Sequence, residues 1–102
     1  MASERQPIEI QHSEDDGRGA FFLERDGIRL AEMTYSRVND GLVIIDHTLV
    51  DDQLRGLGVA RKLLDTAVAW ARATKTKVTA TCPYASAQFA KDASIRDVLA
   101  DE

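Results

Sequence analysis

Apolar positions change their spacing part-way along this chain. Up to residue 50 they tend to alternate with polar ones, and from Val59 they recur every three to four residues. Alternation lines the two faces of a strand, whereas recurrence near 3.6 residues lines one face of a helix. The first half therefore reads as strands over Pro7–Gln11, Phe21–Arg25, Ile28–Arg37 and Leu42–Val50. Between them, residues 13–19 (SEDDGRG) read as a loop. Asp26-Gly27 is a two-residue hairpin signal, and Asn39-Asp40-Gly41 is a second turn. In the run from Ile28, Ile28 and Leu30 share one face while Met33 and Tyr35 share the other. A bulge near Ala31 reconciles the two phases. LVIIDHTLV, residues 42–50, is rich in branched residues on both faces and predicts a central, buried strand.

Beyond the change in period, Val59, Ala60, Leu63, Leu64, Ala67, Val68 and Ala71 predict a helix over Val59–Thr74. A short strand, Val78–Cys82, follows. Pro83 is suited to open a short helix over Tyr84–Lys91. Ile95–Ala100 reads as a last helical turn or two, and Trp70 and Phe89 read as core by their spacing. The final strand–helix–strand step predicts a right-handed parallel crossover. The expected fold class is α/β (α+β): a mixed, mostly antiparallel sheet of about five strands, a central helix after strand 4, and a short C-terminal helix. A length of 102 residues fits one domain over 1–102.

Charge and cysteine content narrow the function. Thirteen basic against seventeen acidic residues give a net charge of −4. That argues against nucleic acid, whose binding depends on Lys and Arg meeting phosphates. Cys82 is the single cysteine, so no internal disulfide can form, and no Cys/His cluster has zinc spacing. No metal is expected. The start, MASERQPIEIQH, lacks the basic and apolar regions of a signal peptide, and no apolar run approaches the ~20 residues of a membrane span. A cytoplasmic protein, monomeric or weakly dimeric and without membrane partners, is expected.

The stretch VDDQLRGLGVARKLL, residues 50–64, places Gly56 and Gly58 where the central strand hands over to the helix. A helix N-terminus carries unpartnered N–H groups at a positive dipole end. Glycine lets the backbone take unusual angles and lets a phosphate come close. The stretch would serve either as a phosphate cradle or as a plain tight turn. It is not a Walker loop, because no Gly-Lys-Ser/Thr follows. It is a poor dinucleotide fingerprint, because Arg61 stands where a third glycine belongs.

The pattern Gln53-Leu54-Arg55-Gly56-Leu57-Gly58 resembles the acetyl-coenzyme A loop of the GNAT superfamily of N-acetyltransferases. The match extends through IIDHTLVDDQLRGLGVARKLL and VTATCPYASAQFAKD. Together these resemble the small, roughly hundred-residue GNAT-like branch, with its acid–His–Thr run, glycine loop and Cys-Pro-Tyr triplet. The likeness covers about residues 18–92. It implies that acetyl-coenzyme A is the co-substrate, held by the backbone of Leu54 through Ala60, that is Leu54, Arg55, Gly56, Leu57, Gly58, Val59 and Ala60, with Gln53 opening the motif. Leu49 and Val50 would pair with the pantetheine amides where the Leu42–Val50 and Val78–Cys82 strands splay. The acetyl acceptor would be an amine, on a protein or a polyamine. Larger members have two helices between their first strands, and their absence here implies an open acceptor side.

Acetyl transfer to an amine needs a proton acceptor, an oxyanion stabiliser and an acid for the departing thiolate. His47 suits the base role, and its bland alternative is a histidine bonded within the sheet. Asp46 is the competing base. As neighbours on one strand, the two are expected on opposite faces. Cys82 is either an acyl-accepting nucleophile or a small buried apolar group. Tyr84 is the acid candidate or a packing aromatic. Arg55, Arg61, Lys62 and Lys91 would reach coenzyme phosphates or be solvated surface charges. Two other readings stand beside the enzyme: a coenzyme A-binding module without catalysis, and a small interaction domain.

Overall fold

A computed structural model describes residues 8–100. Five strands lie in chain order across one sheet: β1 (Gln11–Asp15), β2 (Arg18–Arg25), β3 (Ile28–Asn39), β4 (Leu42–Val50) and β5 (Lys77–Ala80). The first three pairings are antiparallel and β4–β5 is parallel. Helix α1 (Val59–Thr74) makes the crossover between β4 and β5. Helix α2 (Pro83–Lys91) and a 3₁₀ stretch, Ala93–Val98, close the chain. The mixed, mostly antiparallel sheet and the helix after the fourth strand are as the periodicity predicts.

Residues paired across the strands share a face, so Phe21, Met33 and Tyr35 line the same side as Ile45. That side packs on Leu63, Leu64, Ala67 and Val68 of α1, all 2 % exposed or less. Full burial of each aliphatic chain contributes about 1.5–3 kcal/mol, which explains why the helix forms along this stripe. Phe89 joins the core, while Trp70 is half-buried against it.

The beginning of the sheet differs from expectation. Ile8–Ile10 form no strand; β1 starts at Gln11, and Pro7 lies outside the described residues. Residues 13–19 are not a loop but the end of β1, a two-residue turn and the start of β2. Asp16 and Gly17 both take positive φ, 55° and 81°, the turn that matches the twist of a hairpin. Every β1 residue is exposed at the sheet edge. No buried face therefore marked the strand in the sequence. Elsewhere the expected bulge occurs: pairing steps from Arg29↔Glu24 to Ala31↔Leu23, leaving Leu30 as the extra residue. Both Leu30 and Ala31 are buried.

A ring cluster fastens β1 to this core. The His12 ring stacks on Phe21 at 4.3 Å and meets Trp70 edge-on at 5.1 Å. The Tyr35 hydroxyl donates to Glu14 Oε1 at 2.8 Å. Its oxygen therefore accepts from His12 Nε2–H at 2.7 Å, which assigns the tautomer. Arg37 completes the chain by donating to both Glu14 oxygens through Nε and Nη2. The Arg37 bonds outweigh burial and, with Tyr35, bring the Glu14 carboxyl down to about 2. Gly19 makes room for the Tyr35 ring: a Cβ there would stand 2.2 Å from a ring carbon.

Candidate active site

Between β4 and α1 the chain tightens before it opens. The Asp51 carboxylate accepts from the Gln53 N–H at 2.9 Å, and the Leu54 and Arg55 N–H groups donate to the Asp51 and Asp52 carbonyls. Leu54 is buried and anchors this 3₁₀ turn. Gly56 and Gly58 then take φ of 83° and 72°. A Cβ at either would meet nothing within 4 Å, so the glycines answer to backbone angle and leave open space outside. Gly58 caps α1 with no side-chain acceptor, and no acidic residue stands in the first turn. The first N–H groups of α1 thus meet neither a side-chain cap nor a carboxylate, which fits them to an anion.

The second feature is a split beside that helix end. β4 pairs with β5 only from Leu42↔Lys77 to Ile45↔Ala80. The Thr81 and Cys82 N–H groups then converge on the Ile45 carbonyl at 2.9 and 3.1 Å. β4 continues from Asp46 to Val50, whereas β5 ends at Ala80, short of the expected Cys82. Asp51 N–H donates to the Leu30 carbonyl at 2.8 Å. Ladder alternation therefore turns Leu49 toward β3, and turns the backbone of Thr48 and Val50 toward the split. Leu49 and Leu57 stay 56 % and 53 % exposed, leaving apolar surface at both β4 and the loop.

A bulge sits where the split begins. Tyr35 pairs with Ile45 and Thr34 with His47, leaving Asp46 as the extra residue. The expectation that Asp46 and His47 face opposite sides fails for this reason. His47 shares the outer face with Thr34, and the Asp46 carboxylate reaches that same face. It accepts from Thr34 at 2.6 Å, Arg18 at 2.7 Å and Ser36 at 3.2 Å. Burial would raise the Asp46 proton affinity, but these donors outweigh it and hold the carboxyl below its usual range. His47 is exposed rather than enclosed in the sheet.

Cys82 and Tyr84 belong to the other side. Cys82 is buried, and its Sγ lies 3.1 Å from the Thr48 hydroxyl, a contact across the mouth of the split. Tyr84 is half-buried on the first turn of α2. Burial, and to a lesser degree Asp65 and Cys82, push its hydroxyl up against an opposing effect of Arg61, so it stays protonated. The four candidates therefore divide, Asp46 and His47 on the outer face, Cys82 and Tyr84 toward the helices, with the split between them. Among the described residues no group of three or more His, Cys, Asp or Glu gathers as a metal would need.

A family model described as GCN5-related N-acetyl-transferase matches residues 20–98. The chain belongs to the GCN5-related N-acetyltransferase family. A GCN5-like protein from Staphylococcus aureus, solved by NMR, is 34% identical; the match covers 93% of this chain and 90% of that one, with a TM-score of 0.70. A ribosomal-protein-alanine N-acetyltransferase from Brucella melitensis is 19% identical over 87% of this chain and 68% of that one, with a TM-score of 0.56. The latter likeness is one of fold. No curated protein matches. Acetyl transfer, generally from acetyl-coenzyme A, is the chemistry of the GCN5-related family.

The first two strands of this chain are joined by the two-residue Asp16-Gly17 turn. Sequence reasoning missed the Asp46 bulge, which no local pattern announces, and the alliance of Arg61. That guanidinium does not extend toward the glycine loop. It donates to Asp65, Gln88 and Asp92. Arg55 pairs instead with Asp52 on the surface. No helix among the described residues is long and apolar enough to cross a membrane.

Proposed function

We propose that this protein is an acetyl-coenzyme A-dependent N-acetyltransferase acting on an exposed amine, on a protein or a polyamine. The observation that carries the reading is the β4–β5 split opening beside an uncapped helix N-terminus. The N–H groups of Gly56, Gly58, Val59 and Ala60 suit the pyrophosphate, the Leu57 N–H being given to the Leu54 carbonyl, and the strand edge at Thr48 and Val50 suits the pantetheine amides. When bound, the coenzyme supplies an activated acetyl thioester. A thioester lying in the split would be reached from both faces of the sheet.

From the outer face, the amine nitrogen bonds to the carbonyl carbon while His47, directly or through water, takes its proton. Asp46 is the weaker base, because three donors already satisfy its carboxylate. From the helix side, Tyr84 gives its proton to the sulfur as the C–S bond breaks. The burial of Cys82 favours direct transfer, with the thiol as a wall of the site. Among the described residues no helix covers the outer face, β1 and β2 being joined by two residues, which suits an acceptor carried on a larger molecule. The division of the candidates between two faces also supports a second reading, a coenzyme A-binding module that does not catalyse.

The test is calorimetric titration with acetyl-coenzyme A, compared with acetylpantetheine, which lacks the pyrophosphate. Saturable binding that is lost with acetylpantetheine supports the cradle. No heat at millimolar coenzyme removes the reading altogether. If binding holds, turnover with poly-L-lysine or spermidine that falls in His47→Ala and Tyr84→Phe separates the enzyme from the binding module.

A further inference from the structure

Arg61 stands at the third position of α1, immediately past the glycine loop. Its side chain is anchored within its own helix by Asp65, at 2.8 Å from Nε. The remaining nitrogens cross to α2: Nη1 donates to Gln88 Oε1 at 2.8 Å and Nη2 to Asp92 Oδ2 at 2.5 Å. These bonds join residues 27 and 31 positions away. Gln88 lies four residues beyond Tyr84 on α2, so both occupy the same helical face. Asp92 caps the end of that helix and is itself held by Ser94. The guanidinium thus fixes the face of α2 that carries Tyr84 against the turn of α1 that follows the phosphate cradle.

We propose that Arg61 is a positioning residue, setting Tyr84 on α2, and Cys82 at the cap before it, at the correct reach from a coenzyme held by the glycine loop, and not a phosphate ligand. The inference rests on the function proposed above. Its physical basis is that a planar fork with two cross-helix partners restrains both distance and rotation, which a single contact does not. An acid displaced by about 1 Å can lose on the order of a hundredfold in rate while binding is unchanged.

The experiment compares the wild type with Arg61→Met, Arg61→Lys and Gln88→Ala. Coenzyme A affinity is measured by calorimetry, and acetyl-coenzyme A turnover is followed with poly-L-lysine and spermidine as acceptors. The expected result is affinity within about threefold of wild type in all three. Turnover should be down about tenfold or more in Arg61→Met and Gln88→Ala, and intermediate in Arg61→Lys. Gln88 accepts from Arg61 and belongs to α2 rather than to the loop, so it carries the test if Arg61→Met does not fold. Strong loss of coenzyme binding in Arg61→Met, with Gln88→Ala behaving as wild type, would make Arg61 a phosphate ligand and overturn the proposal. Unchanged turnover in all variants would also overturn it while leaving the proposed function intact. A wild type that binds coenzyme but acetylates neither acceptor removes the proposed transfer, and this inference with it.

Discussion

The two ends of the sheet are built on opposite rules. Under β1 to β3, the ring cluster ties its polar groups to one another: His12, Tyr35, Glu14 and Arg37 bond in series between aromatic faces. At the other end, β4 outruns β5, its strand edge is unpaired by β5, and α1 begins without a side-chain cap. The first arrangement resists change because each member satisfies another. The second leaves donors unmet, and unmet donors at a helix end are where an anionic ligand gains free energy. On the function proposed above, the stability of this fold and coenzyme binding are carried by separate sets of residues, and substitutions should sort accordingly.

The strongest break of that contrast is Gly19→Val. Its side chain would collide with the buried Tyr35 ring, so a loss of about 3 kcal/mol or more is expected, read as lost cooperative unfolding by circular dichroism. Gly56→Val should do the reverse. Its Cβ would meet nothing within 4 Å, and the left-handed backbone resists it at about 1–2 kcal/mol. The fold should survive while coenzyme affinity falls about a hundredfold, ~2.8 kcal/mol by titration. A folded Gly56→Val that binds normally would sink the cradle.

Tyr35→Phe sharpens the stable side. It leaves His12 without its acceptor and removes a donor from Glu14, for an expected loss of about 1–3 kcal/mol in chemical denaturation, with coenzyme binding unchanged. The same cluster should respond to pH. Although the residue as a whole is exposed, the His12 ring packs on Phe21 and Trp70, and the water it loses there, against a raising effect of Glu14, holds its proton affinity below the ordinary value of 6.5. The unfolded chain therefore takes up the proton first as pH falls through 6.5, so this stability is present above that pH and declines below it. Denaturation midpoints at about pH 7.5 and 5.5 should differ, and His12→Gln should narrow the difference. The smallest effect is expected for Arg55→Ala. Its ion pair with Asp52 is 79 % and 87 % exposed, and the melting temperature should hardly move.

Much of the frame was legible because local rules carry it. The branched residues of LVIIDHTLV, the periodicity of Val59–Thr74 and the Asp26-Gly27 turn each act over a few neighbours, and each element appears where expected, although β4 buries only Val43 and Ile45 rather than both faces. The displaced β1 shows the limit of that reading. An edge strand with no buried face has no pattern to betray it, although Asp16-Gly17 carried the same turn chemistry as Asp26-Gly27. At the site, the glycine loop and the residues Asp46, His47, Cys82 and Tyr84 could be named from their motif. Their division between two faces could not, because it depends on one extra residue at Asp46 in the pairing of β3 with β4.

The sequence by itself determined the order of strands and helices, the glycine turn at the head of α1 and the chemistry available near it. Periodicity, turn residues and positive φ are properties of short stretches, and chain neighbours are enough to specify them. Tertiary structure decided the rest: where β4 and β5 part, which face each candidate takes, and that Arg61 binds α2. Those depend on register and on contacts such as Thr48 with Cys82, 34 residues apart, which form only when the packed core brings distant segments together.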